Sequence, residues 1–517
     1  MTRTTKLVAM MSIFAVATRL FLVNQPYIDH WSWRQSDVAA IARNFSEGGF
    51  RFAYPQIDWA GDAAGYVGTE FPILPFLAAI CYKIADIHEW IGRGQAVIFF
   101  AVSLPFFFLL VREIFGSTAA IWAVFFYSFA PLNIFTGRSF MPDVPSLSLA
   151  LIGSYFFLRW MEHGALLCGP SEFETRWTDT GQNVPRKLSG HRLQAYVPFY
   201  ASAVAISLAL LIKLPTAVIG APLLFLVWQK WGWNFLKRPG LWFFAAITIL
   251  PSVAWYWHAH QIAGKFYPHH FFGAGGIRFE NFSWYWNILR VTATSSLTPV
   301  LAMMALIGLF VARRGKYGYL FDWWLAAMVL FIMAVGYGNR HPWYQLPLVP
   351  IAAAFAGAAC AFIGSKISFS RIAIVTFSIL LASSFAILAC LYLRPLYESS
   401  AAQLRDAGLE LRKTTAPDSL IIAADTGDPT IFYYAERKGW HFLEQDGIYN
   451  GNPVDSQQAI ADLDRLCHRG ATHLVFTANT FWWLESYPEF TRHLAEVATL
   501  LNATPWFRIY KLTAAAE

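Results

Sequence analysis

PILPFLAAICYKIADI, running from Pro72 to Ile87, decides how the chain threads. It is apolar, but it is only 16 residues long and holds two prolines and a lysine. A helix needs about 20 mostly apolar residues to cross a bilayer core. The segment is therefore expected to be a juxtamembrane or re-entrant helix closing a long loop, residues 25–92. If it crossed instead, every later loop would change sides. Arg186, Lys187, Lys237, Arg238, Arg313 and Arg314 would then face outward, against the excess of Lys and Arg found in cytoplasmic loops.

On both sides of this segment the chain reads as a membrane protein. Of its 517 residues, 56% are hydrophobic and 14% charged, where a soluble domain carries roughly 25% charged residues. Mean hydropathy is +0.41. Apolar runs predict eleven spans: 7–24, 94–111, 118–134, 144–161, 196–212, 215–229, 240–258, 296–312, 320–337, 344–364 and 372–393. With the N-terminus inside, Arg3, Lys6, Arg112, Arg176, Arg192, Lys230, Lys316, Lys366 and Arg371 join the six cations above on the inner side. The polar inner loop 162–195 is expected to be mobile. The first run lacks a small-residue cleavage site and reads as an uncleaved span. The net charge of +7 does not point to nucleic acid, because the basic residues sit at helix ends and form no single patch. The five cysteines show no metal-ligand spacing.

After Leu393 charges return and apolar runs shorten. SLIIAAD (419–425) and THLVFTA (472–478) read as buried strands, with an amphipathic helix over 456–469 between them. The chain thus divides into a transmembrane domain, 1–394, and a small α/β domain, 395–517, placed outside by the odd number of spans.

The outer loops hold the candidate chemistry. Asp37 opens the helical stretch DVAAIARNF, with Ser36 as a candidate cap. An ionised aspartate there can accept the proton of an acceptor hydroxyl, or it can simply cap the helix. Asp29, eight residues earlier, is the rival for the same role or an interfacial turn residue. Glu70 needs a cation at the interface, and Arg34, Arg51 or Lys83 can supply it. Arg138 and Asp143 lie at the outer ends of two spans, where Asp143 either caps the next helix or faces Asp37 across a cavity. Arg340, followed by His341, breaks the inside bias. Its fork of donors suits phosphate oxygens, and snorkelling to the interface is the alternative. The same pair of readings applies to Lys213, in the turn LIKLP. No P-loop, GxSxG or HExxH motif is present.

Four ordered stretches carry a resemblance: HWSWRQSDVAAIARNF (30–45), GTEFPILPF (68–76), RSFMPDVPSLSLA (138–150) and HPWYQLPLVP (341–350). Over roughly residues 7–365 the chain resembles the GT-C superfamily of membrane glycosyltransferases that use polyprenyl-phosphate sugars. It is similar in particular to bacterial relatives of protein O-mannosyltransferases and of the aminoarabinose transferase for lipid A. The resemblance implies a periplasm-facing site and an inverting transfer, with Asp37 as base, Asp143 as the acidic residue of the second loop, and Arg340 near the donor phosphate. Two departures stand out. Relatives of the aminoarabinose type carry an Asp-Glu pair where this chain has Arg34 and Gln35, which keeps Asp29 in contention. GTEFP replaces a Lys before Pro-Pro, so Glu70 has a different local partner.

The expectation is therefore an α-helical polytopic protein of the bacterial inner membrane that transfers a sugar from a polyprenyl-phosphate donor to a glycan, lipid or protein hydroxyl. The donor is already activated, so no nucleotide site is needed. A divalent cation shared by Asp37 and Asp143 is compatible with this chemistry and not required by it. A transporter or flippase of lipid-linked glycans is the rival from another class, and it calls for mid-membrane charges and internal repeats, neither of which is evident. An O-antigen ligase or polymerase is a third reading.

Overall fold

The structure, a computed structural model, describes residues 3–163, 189–269, 276–366 and 371–513. The loop expected to be mobile falls largely outside them. Among the described residues six helices are long and apolar enough to cross a membrane, so the chain is a multi-pass membrane protein. They are Glu89–Phe115, Asp143–Glu162, Pro239–Lys265, Leu320–Asn339, Leu348–Lys366 and a stretch within Arg371–Thr414. These coincide with six of the eleven expected spans.

The other five expected spans are helical but fall short by length or charge. Arg3–Leu20 carries Arg3, Lys6 and Arg19. Arg19 is fully buried, and its two terminal nitrogens donate to the carbonyls of Ala15, Ser128 and Asn133 inside the bundle. Ser117–Phe129 stops after 13 residues because Ala130 precedes Pro131 and turns extended, at ψ 133°. Tyr196–Ile212 is a shorter apolar helix. The run after Lys213 is split into a 3-10 turn, Leu214–Ile219, and a 12-residue helix, Gly220–Trp231. Phe282–Ser296 and Pro299–Val311 meet at 108°, a broken span or a re-entrant loop.

The deciding segment forms a 13-residue helix, Ile73–Ala85, too short to span. Its Leu74, Ala78 and Tyr82 share a core with Val38, Ala39 and Ala42 of the helix Ser32–Glu47. The opposite face is bare, with Ile84 83% exposed. One face on protein and one apolar face outward is the pattern of a helix lying along a membrane interface.

The C-terminal region forms a five-stranded sheet of order β2-β1-β5-β7-β6. β1 (Leu420–Ala424) pairs in parallel with β2 (Gly439–His441) and β5 (Ala471–Thr477). β3 (Glu444–Gln445) and β4 (Ile448–Tyr449) make a small separate hairpin. β6 (Ala498–Ala503) and β7 (Phe507–Leu512) extend the main sheet antiparallel. β1, β5 and the helix Ser456–His468 match the expected strands and helix, while β2 and the last hairpin were not expected.

This domain is fastened to the helix Ser32–Glu47. Ser32 Oγ donates to Asp428 at 2.7 Å, and the Ser36 and Thr430 hydroxyls lie 2.8 Å apart. Tyr434 receives the Tyr27 amide at 2.7 Å and donates to Glu89 at 2.9 Å. Backbone bonds join Gly61 to Gly439 and Gly439 to Asp58. Gly61 has φ +60°, and a Cβ there would lie 1.8 Å from the Trp440 ring, so only glycine permits this approach.

Candidate active site

The fastening leaves a cavity of about 690 Å³ between the membrane part and the C-terminal domain, within the range of small-ligand sites. Its membrane-side walls include Trp33, Arg34, Asp37, Trp59, Glu70, Tyr256, Arg340 and His341. Gly427, Pro429, His441, Ile448 and Tyr449 line it from the C-terminal domain. Five of the residues singled out in the sequence therefore share one space: Arg34, Asp37, Glu70, Arg340 and His341.

Asp37 is not at the start of its helix. The helix begins at Ser32, which puts Asp37 in the second turn, and Ser36 Oγ bonds to Ser32 O and Thr430 instead of capping. A helix end acts on charges only within its first turn. The carboxylate is supported by side chains: Trp59 Nε1 donates to its Oδ1 at 3.1 Å, and Arg34 Nη1 lies 3.7 Å from Oδ2. The side chain stays 17% exposed toward the cavity. Arg34 in turn donates to Glu70 at 2.6 Å. Burial works against the Arg34 charge, but Glu70 and Asp37 outweigh it and hold the guanidinium above its ordinary range. Of the three partners expected for Glu70, the structure selects Arg34.

Asp29 has a different environment. It is fully buried and accepts from Gln35 at 2.6 Å, Arg93 at 2.9 Å and Arg138 at 2.8 Å. It does not line the cavity, and neither does Arg138, which also lies 4.2 Å from the Tyr397 ring centroid. Arg93 was not anticipated.

Asp143 does begin a helix, as its Pro-flanked position suggested. It pairs with Lys213 at 2.5 Å, and Lys213 Nζ lies 4.6 Å over the Tyr344 ring. Both line a small neighbouring pocket with Trp343 and Tyr344, not the large cavity. Asp143 therefore does not face Asp37 across an open space. Among the described residues no three His, Cys, Asp or Glu side chains gather to hold a metal.

Arg340 is exposed and lies 4.5 Å from the Tyr337 ring centroid. Among the described residues it has no carboxylate partner. His341 is stacked on Trp343 at 4.3 Å and tilted against Trp33 at 5.6 Å. Burial, reinforced by Arg340, Arg34 and Lys213, pushes its pKa down to about 4, so the ring is neutral at pH 7. It can bond a phosphate oxygen but brings no charge to it.

Sequence reading missed Trp59, Tyr256 and the whole C-terminal wall. Trp59 sits in an aromatic-rich loop with no periodicity to mark it. The C-terminal residues become visible as a site only once the domain is docked.

Residues 69–169 match the family model of dolichyl-phosphate-mannose-protein mannosyltransferases. No match is found among curated proteins. Among solved structures, the chain is similar to ArnT from Cupriavidus metallidurans bound to undecaprenyl phosphate, with TM-score 0.66, 13% identity and 99% of each chain covered. It is also similar to the oligosaccharyltransferase of Archaeoglobus fulgidus, with TM-score 0.63 and 14% identity over 96% of this chain and 73% of that one. The arabinofuranosyltransferase AftD from Mycobacteria aligns with TM-score 0.55 and 16% identity, over 99% of this chain and 40% of its own. The fold is thus that of the GT-C membrane glycosyltransferases.

Proposed function

We propose that the protein is an inverting membrane glycosyltransferase that moves a sugar from a polyprenyl-phosphate donor to a hydroxyl of a glycan, lipid or protein. Residues 1–394 form the transferase domain, and residues 395–517 a domain on the same face as the site. The protein sits in a bacterial inner membrane with that face toward the periplasm. One observation carries the reading: Asp37 and Arg340 open onto the same cavity, a carboxylate and an arginine with no carboxylate partner among the described residues.

In this mechanism Asp37 takes the proton of the acceptor hydroxyl as the oxygen attacks the anomeric carbon from the face opposite the phosphate. Arg34 and Trp59 hold the carboxylate in place. Charge grows on the departing phosphate, where Arg340 and the neutral His341 meet it. Burial between two arginines argues against Asp29 as the base. The resemblance to ArnT, whose structure holds undecaprenyl phosphate, supports a polyprenyl carrier.

The test is a glycan and glycolipid profile of a strain lacking the gene, complemented with wild type or with Asp37→Asn. The mutant gene should leave the profile unrestored while its protein accumulates in the membrane. Full restoration by Asp37→Asn would remove the base assignment.

A further inference from the structure

The C-terminal wall of the cavity contains a buried pair that the mechanism above does not use. β1 ends at Ala424 and β2 at His441, and the two strands run in parallel. In open α/β sheets, ligands sit beyond the carboxyl ends of parallel strands, where the chain order switches direction. β1 is that switch here, flanked by β2 on one side and β5 on the other. Asp425, the next residue, is fully buried and takes the Gly427 amide at 2.9 Å. Its two oxygens lie 2.8 and 2.9 Å from His441 Nδ1. Burial raises the Asp425 pKa, and His441 works against that rise.

A carboxylate on Nδ1 fixes that nitrogen as the donor and orients the ring. Nε2 is then left to the cavity, which His441 lines although its side chain is only 5% exposed. No described residue bonds to that nitrogen. The ring is held between Trp59 at 5.4 Å and Phe432 at 5.3 Å, with Tyr449 at 6.3 Å. Trp59 also donates to Asp37, so one indole separates the base from the oriented histidine. Among the described residues this wall contributes no Lys or Arg to the cavity, and both cations, Arg34 and Arg340, belong to the membrane side.

We infer that His441, positioned by Asp425, binds the acceptor, and that the acceptor is a carbohydrate. Tyr449 and one oriented imidazole from this wall, with the Trp59 indole packed on that imidazole from the membrane side, offer aromatic faces to a sugar ring and a single hydrogen bond to a hydroxyl. The phosphate of the donor is met by Arg340, from the membrane side of the cavity. The C-terminal domain thus selects what receives the sugar, and the membrane domain selects what delivers it. This inference rests on the transferase reading.

The experiment uses full-length purified protein and two fractions titrated independently. Organic-phase lipids of wild-type membranes supply the donor. The aqueous-phenol glycan fraction of the gene-deletion strain supplies the acceptor, with its protein fraction run in parallel. His441→Gln and Asp425→Asn are compared with wild type, each checked by thermal unfolding for an intact fold. The expected result is transfer to the glycan fraction, with the acceptor KM raised roughly tenfold by His441→Gln, the loss of one hydrogen bond. Asp425→Asn should raise it in the same direction. Inhibition by added undecaprenyl phosphate, a probe of the donor site, should be unchanged in both variants. Wild-type acceptor titrations for His441→Gln, weakened undecaprenyl phosphate inhibition, or transfer to the protein fraction alone would each overturn the inference. In those cases a dead Asp37→Asn control still upholds the transferase reading. Absence of transfer by wild type to every fraction would sink both.

Discussion

Asp29 and Asp37 are eight positions apart and have opposite fates on mutation. Asp29 compensates two fully buried arginines. Removing one partner of a buried ion cluster costs about 3–5 kcal/mol, because the remaining charge stays desolvated. Asp29→Asn should therefore sharply lower the yield and thermal stability of purified protein. Asp37→Asn should unfold at close to the wild-type temperature while transfer falls about 10²–10⁴-fold, the usual effect of losing a general base. A stable, inactive Asp29→Asn variant would return Asp29 to the role of base. Arg340 lends itself to a separate test with purified protein and undecaprenyl phosphate. A hydrogen bond to a charged group contributes about 1.5–3 kcal/mol, so Arg340→Ala should weaken binding roughly ten- to a hundredfold, and Arg340→Lys less. Unchanged binding by Arg340→Lys would mark the side chain as an interfacial anchor. His341 predicts a pH effect of definite sign. Its folded pKa of about 4 lies below the ordinary 6.5, so the unfolded chain takes up the proton first as pH falls. Its contribution to stability is present above about pH 6.5 and is lost progressively down to about pH 4. Comparing unfolding temperatures at pH 7.5 and 5 should show a smaller drop for His341→Gln than for wild type.

At the scale of elements, the helix Ile73–Ala85 makes its own prediction. If it lies along the interface, spin labels on cysteines placed at Leu77 and Ile84 should report nearly equal depth. A crossing helix would separate seven residues by about 10 Å along the bilayer normal. Length and proline content made this helix legible in the sequence, and so did the six long spans, because an uninterrupted apolar run leaves little choice in lipid. The shorter elements were harder to read. The break at Ala130–Pro131 and the 3-10 turn after Lys213 sit inside runs whose hydropathy alone looked continuous. In the sheet, β1 and β5 are buried and strongly apolar, which is why they were read. β6 is largely exposed and lacks that signal. Within the site, charge broke the inside bias at Arg340, which made it visible. His441 and Trp59 obey every local rule, and only docking brings them to one cavity.

For the whole molecule, orientation is the property to measure. Reporter fusions at Ser189 and after Glu517 should give opposite signals, cytoplasmic for the first and periplasmic for the second, as the Lys and Arg distribution requires. Equal signals would mean that the number of crossings between them is even. The walls of the cavity are contributed by residues as far apart as Trp33 and Tyr449, and Ser32 meets Asp428 across 396 positions of chain. That distance sets an order of events during synthesis. Asp37 and Arg34 leave the ribosome among the first residues, while the strands that roof them come from its last quarter. A nascent chain halted at the end of its membrane helices would carry Asp37 and Arg34 open to the surrounding water, without the C-terminal wall that covers them. The cavity is therefore closed only when translation is nearly complete, so an unfinished protein has no enclosed chamber.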